Sequence, residues 1–247
     1  MSPGEPAGSV VIFHTADLHN RLRPEAAQRL KELKESHPGC LLLDAGDAVG
    51  AGNLTFRPGG EPILRTMSEI GYHAMAMGNR ESHPRRSFLE RKLRDAGFPV
   101  LAAGLTARKA AVPGSVKPYV ILRSAGARVA VIGSTRQITK PGSVWAGIAD
   151  YVWEDPVETT ARLVPDLAAR ADLVICLSHC GLAVDRELAA LPGVSLVLGG
   201  HSHRRVVEQG EGATIVHPGF HGRWVSRTEF RGQELVSVEL LSLEPKP

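Results

Sequence analysis

The sequence predicts an α/β fold, and three observations carry that expectation. Short, wholly apolar runs such as Cys40-Leu41-Leu42-Leu43 read as strands covered on both faces. Between them lie segments with apolar residues at helical spacing, as at Ala26, Ala27, Leu30 and Leu33 after Pro24. Towards the C-terminus two β-rich runs, 224–230 and 235–243, flank Gly232 and read as an antiparallel hairpin.

In order, Val10 to Phe13 is the first strand, and Pro24 opens a helix to about Ser36 that Pro38-Gly39 stops. The strand 40–43 follows, then a glycine-rich loop 48–60, a helix 61–70 ended by Gly71, and a buried strand 73–77. A charged amphipathic helix spans 86–96 and a strand 98–103. Tyr119–Arg123 and Arg128–Ile132 pair as a hairpin, and 133–150, without clear period, reads as an irregular connection. Pro156 to Ala171 is helical with a break or kink expected at Pro165. A strand 172–177, a helix 185–191, and strands 194–198 and 214–216 precede the final hairpin.

The 247 residues can bury a substantial core, and no repeat or linker divides them. One domain over 9–247 is expected, after a flexible Pro/Gly-rich tail at 1–8. Twenty-nine basic against 26 acidic residues leave a net charge of +3, too balanced to argue for a nucleic-acid partner. The groups Arg85-Arg86, Arg91-Lys92-Arg94 and Arg204-Arg205 read as solvated faces. No apolar run approaches the ~20 residues of a membrane helix. The N-terminus lacks the pattern of a signal peptide, and Cys40, Cys176 and Cys180 form no disulfide framework. A cytoplasmic protein is expected.

Five apolar strands end in side chains able to bind metal: Asp17 and His19, Asp47, Asn79, His179, and His201 with His203. In extended backbone, residues two apart point the same way, so Asp17 with His19, and His201 with His203, can each enter one site. A lone histidine after a strand is more often a loop residue, but five strand ends in agreement are not a chance pattern. Nitrogen and oxygen donors without thiolate suit a catalytic Mn, Zn, Fe or Co centre better than structural zinc. Cys176 and Cys180 around His179 read as packing thiols on the opposite strand face.

These motifs resemble those of the calcineurin-like metallophosphoesterases, and most closely the catalytic domain of the 5′-nucleotidase group. They are Asp17-Leu18-His19, Gly46-Asp47-Ala48, Gly78-Asn79, Ser178-His179 and Gly199-Gly200-His201-Ser202-His203, in that order along nearly the whole chain. The resemblance implies a single-domain four-layer α/β/β/α sandwich and two divalent metal ions. One would be held by Asp17, His19, Asp47 and His203; the other by Asp47, Asn79, His179 and His201, with Asp47 bridging. It implies hydrolysis of nucleotides or similar small phosphoesters through a metal-bridging hydroxide, as in nucleotide catabolism, with monoesters expected and diesters open.

Two departures qualify this expectation. The family usually places a proton-donating histidine after the ligand asparagine; here it is Arg80, which cannot cycle a proton near neutrality. In one reading Arg80 clamps a substrate phosphate. In a second, His83, where the nucleotidase group carries an orienting aspartate, supplies the proton. In a third, Arg80 pairs with a carboxylate, leaving a low-activity or non-catalytic metal- and nucleotide-binding protein. The second departure is length: the sequence stops at Pro247, before the C-terminal domain that stacks the base in the nucleotidase group. Asn53, His217, His221 and Arg223, near strand ends or in glycine-rich loops, are the candidates for substrate contact. Ala16 and Asn20 also replace the asparagine and glycine common in the family's first motif, at positions that remove no ligand.

Overall fold

Two sheets lie face to face in the computed structural model, which describes residues 8–139, 143–210 and 212–244. The chain opens with β1 (Val10–Thr15), α1 (Pro24–Glu35), β2 (Leu41–Asp44), α2 (Pro62–Ile70), β3 (Ala74–Ala76) and α3 (Arg86–Leu93). It continues through β4 (Val100–Leu101), β5 (Leu105–Ala107), β6 (Val116–Lys117), β7 (Tyr119–Ser124), β8 (Ala127–Thr135), α4 (Val144–Ile148) and β9 (Tyr151–Trp153). Then follow α5 (Pro156–Arg170), β10 (Leu173–His179), α6 (Leu182–Ala189), β11 (Leu196–Gly199) and β12 (Arg205–Glu208). Strands β13 (Thr214–Pro218), β14 (Trp224–Arg231) and β15 (Glu234–Ser242) close the fold.

The first sheet has the order β15-β14-β1-β2-β3-β4-β6 and the second β12-β13-β11-β10-β8-β7; β5 and β9 form a separate ribbon. Within each sheet the central strands are parallel, and antiparallel pairs lie towards the edges. Ile12, Leu43 and Ala76 of the first sheet pack against Val131, Ile175 and Leu198 of the second, forming an apolar inner layer. Each large side chain buried there contributes about 1.5–3 kcal/mol.

The opposite face of the first sheet is covered by α1, α2 and α3 through Leu30, Leu64, Met67 and Leu89. The outer face of the second is covered by α5 through Val164 and Leu167, and by α6 through Leu188. The layers are therefore α/β/β/α, as expected. Burial of both faces explains why the parallel strands read as uninterrupted apolar runs. Gly133 of β8 shows how closely the sheets approach: a β-carbon there would lie 2.4 Å from the carbonyl carbon of Leu101.

Several expectations change. β8 continues to Thr135 rather than stopping at Ile132, and α4 and β9 occupy part of the stretch read as irregular. Helix α5 runs unbroken through Pro165, whose exposed position leaves the freed carbonyl of Ala161 within reach of water. α6 starts earlier, at Leu182. The short strands β5, β6 and β12 carried too few residues for a readable period. Lys92 is not on a solvated face: α3 turns it inward, to 0% exposure. The predicted tail, 1–8, falls outside the described residues except for Gly8. No described helix is long and apolar enough to cross a membrane.

Candidate metal centre

The site forms where the parallel strands of both sheets end, the edge at which open α/β sheets bind ligands. The backbone there is not extended. Asp17, His19 and Asn20 after β1 have φ of 53°, 49° and 57°; Asp47 after β2 has 56°, and His201 and His203 after β11 have 70° and 52°. Left-handed turns, not strand alternation, therefore aim these pairs into one site. Asp, Asn and His tolerate this region better than most residues.

Backbone hydrogen bonds hold the turns. Asp17 N–H donates to Gly46 O at 2.9 Å, His19 N–H to Asp47 O at 3.0 Å and Asn20 N–H to Ala48 O at 2.7 Å. His201 N–H reaches across from the second sheet to Asp17 Oδ2 at 2.9 Å.

Two groups of donor atoms result: Asp17 with His19 and His203, and Asp17 with Asp47 and His179. Asp47 lies between them, with Oδ2 at 3.6 Å from His19 Nε2 and Oδ1 at 3.4 Å from His179 Nε2. Asp17 Oδ1 is 3.4 Å from His203 Nε2. Four buried atoms here make no hydrogen bond: Asp17 Oδ1, His19 Nε2, Asn79 Oδ1 and His179 Nε2. Burying polar atoms without partners is costly, and these belong to four of the residues expected to bind metal. The donor set thus fits divalent cations.

Charge is unevenly distributed. Burial pushes the Asp47 carboxyl up, but His179, His19 and the Arg80 N–H outweigh it and hold Asp47 well below the usual carboxylate range. Burial pushes Asp17 up. Burial alone would lower His179; the facing Asp47, followed by Asp17 and Glu81, raises it to about 9.

Around the donors lies a buried frame that sequence reasoning did not identify. Glu81 accepts the N–H groups of Asp47 and Gly78 on Oε2, at 2.8 and 2.9 Å, and that of Val49 on Oε1 at 3.0 Å. It therefore couples the Asp47 and Asn79 loops. Asp44 accepts Thr15 Oγ1 at 2.6 Å and Gly46 N–H at 2.8 Å. Lys92 Nζ donates to the carbonyls of Gly52, Arg80 and Ser82 at 2.8, 2.6 and 3.1 Å. Burial pushes its ammonium down to about 8. Glu81 abuts the Gly78-Asn79 motif and could have been flagged; Lys92 carried no signal, because its inward direction depends on how α3 packs.

Two arginines adjoin the centre. Arg80 donates its N–H to Asp47 Oδ1 at 2.7 Å and Nη1 to Gly50 O at 3.1 Å, while Nε lies 3.6 Å from Asp47 Oδ2. Arg136, just past β8, lies with Nη1 2.5 Å from His201 Nε2.

The remaining candidates separate. Asn53 and His83 line one cleft; His83 Nδ1 accepts Arg85 N–H at 3.0 Å and its ring packs on Phe88. His221 and Arg223 line another cavity, of about 420 Å³, with Arg21 and Arg23. The His221 ring is 5.3 Å from that of His19, and burial, with Arg21 next, lowers its pKa to about 4. His217 is buried with both ring nitrogens engaged, Nε2 to Asp185 Oδ2 at 2.7 Å and Nδ1 to Ser202 Oγ at 2.9 Å. It braces the turn between His201 and His203 and offers no ring nitrogen to a substrate. Cys176 packs against α6.

The calcineurin-like phosphoesterase profile matches residues 10–205. The chain belongs to this family. It is 30% identical over 225 residues to the snake venom 5′-nucleotidase of Gloydius brevicauda, covering 80% of this chain and 38% of that protein. It is 28% identical over 231 residues to human 5′-nucleotidase, covering 81% of this chain and 39% of that one. The chain thus spans under two-fifths of the length of these curated relatives. The crystal structure of a 5′-nucleotidase precursor from Thermus thermophilus superposes with a TM-score of 0.78 at 26% identity, covering 94% of this chain and 54% of that one. The phosphoesterase YfkN from Bacillus subtilis, at 19% identity and a TM-score of 0.72, shares the fold, covering 95% of this chain and 91% of that one.

Proposed function

We propose that this protein is a divalent-metal-dependent phosphoester hydrolase acting on nucleotides or similar small phosphomonoesters. The observation that carries the reading is the convergence of unpartnered, buried Asp17, His19, Asn79 and His179 atoms beside Asp47. The similarity to 5′-nucleotidases supports a nucleotide as substrate. Asp17, His19, Asp47 and His203 would hold one cation, and Asp47, Asn79, His179 and His201 the other. Manganese, zinc, iron or cobalt suits such donors. Bound there, the cations supply Lewis acidity and lower the pKa of water so that it attacks phosphorus at neutral pH.

The chain's own residues orient the substrate. Arg80, tethered at Gly50 O, presents a permanently charged guanidinium to a phosphate oxygen and moves no proton. Neutral His221 adjoins the first group of donors. The three cysteines are free and buried, which fits the reducing cytoplasm.

A panel of nucleotides, cyclic nucleotides, sugar phosphates and diesters, supplied in turn with each metal, tests the reading. Phosphate release from monoesters that stops on chelation is expected; no turnover of any substrate with any metal would sink it. A second reading, a binding protein with little turnover, draws support from the Arg80 and Arg136 guanidinium groups at Asp47 and His201. Tight nucleotide binding without hydrolysis would favour it.

A further inference from the structure

A cleft of about 330 Å³ adjoins the loop that carries Asn79 and Arg80. Its walls are Ser82, His83 and Pro84 of that loop, Asn53 and Leu54 of the glycine-rich loop, and the aromatic face of β9. Tyr151 and Trp153, two apart on β9, turn the same way and are 2% and 7% exposed. The walls are tied together. Lys92 bonds the Gly52 and Ser82 carbonyls, and Asp150 N–H donates to Pro84 O at 2.8 Å. One wall of the cleft is tied to the loop that carries Asn79: Ser82 Oγ donates to the carbonyl of Asn79 at 2.8 Å.

The lining chemistry selects the ligand. Among the described residues the cleft has no Lys, Arg, Asp or Glu, so an anionic phosphate finds no counter-charge in it. Aromatic and aliphatic surfaces dominate, with a few neutral polar groups, the usual composition of a small-molecule pocket. The Tyr151 hydroxyl is buried and has no hydrogen-bond partner. A buried hydroxyl left unpaired is destabilising unless a ligand pairs with it.

We propose that this cleft holds the aromatic base of a nucleotide whose phosphate lies at the metal centre, with Tyr151 Oη hydrogen-bonded to the edge of the base. The inference rests on the phosphomonoesterase reading and adds a base subsite within this domain.

Titration calorimetry of the full chain with adenosine, guanosine, cytidine and uridine, with ribose as control, tests it. At least one nucleoside should bind where ribose does not. Leu54→Arg, at a position 49% exposed and so harmless to folding, should weaken that binding at least ~10-fold by filling the mouth. Tyr151→Phe keeps the ring and should weaken it about three- to tenfold, the span of one net hydrogen bond, while raising Tm because an unpaired hydroxyl is removed. Nucleosides that bind no better than ribose, or an affinity unchanged in either variant, would overturn the proposal. Nucleosides carry no phosphate and undergo no turnover, so this failure is distinct from a failure of phosphoester hydrolysis.

Discussion

The ammonium of Lys92 donates a 2.6 Å hydrogen bond to the carbonyl of Arg80, beneath the metal centre. The same nitrogen holds Gly52 and Ser82, so one buried charge fixes two loops. Lys92→Met keeps the length of the side chain but leaves three carbonyls without their donor. A loss of about 2–5 kcal/mol is expected in urea denaturation, with a matching rise in KM as the Arg80 loop loosens. Unchanged stability would mean that water replaces the ammonium.

Metal addition should stabilise the protein, because cations bind donor atoms that the fold leaves unpaired. At a hundred times Kd the gain is ~2.7 kcal/mol per site by mass action. Asp47→Asn, altering the carboxylate placed between the two groups of donors, should abolish most of the shift in Tm and reduce metal content measured by elemental analysis. Two equivalents bound to wild type and to Asp47→Asn alike would refute the bridging role.

Arg80 and His83 are separated by kinetics. Arg80→Ala should raise KM for monoesters about 10–100-fold, the span of a charge-assisted hydrogen bond. His83→Ala should change kcat for unactivated nucleotides only a few-fold, since Nδ1 is already occupied by Arg85 N–H. A loss confined to nucleotides and absent with p-nitrophenyl phosphate would instead make His83 the acid. Arg80→His should raise kcat on unactivated leaving groups, by up to ~10²-fold, and introduce a new pKa into the pH profile.

Acid sensitivity should trace in part to His73, far from the chemistry. Its Nδ1 accepts Leu42 N–H at 3.0 Å, which requires the neutral ring. Burial, with Lys34 next, holds its pKa below the ordinary 6.5. As pH falls below 6.5, the unfolded chain takes up this proton before the folded one does, so stability present above 6.5 is lost. His73→Asn, whose amide oxygen can accept the same N–H, should flatten the decline in Tm between pH 6.5 and 5. An unchanged slope would assign the acid sensitivity elsewhere, with buried His14 the next candidate.

Hydrophobic pattern was enough to identify most of the parallel strands, most of the helices and the α/β class, and the side chains at the strand ends supplied the seven residues proposed as ligands. Those features are local: a strand buried on both faces must be apolar throughout, and each donor sits where its strand ends. Tertiary structure decided what depends on packing between distant segments. It turned Lys92 inward, set Glu81 across the loops of Asp47 and Gly78, engaged both nitrogens of His217, and drew Tyr151 and Trp153 beside Ser82. It also replaced the expected extended geometry at Asp17 and His201 with left-handed turns. Sequence spacing says which residues can be neighbours along one strand; the direction of a side chain depends on the elements packed around it.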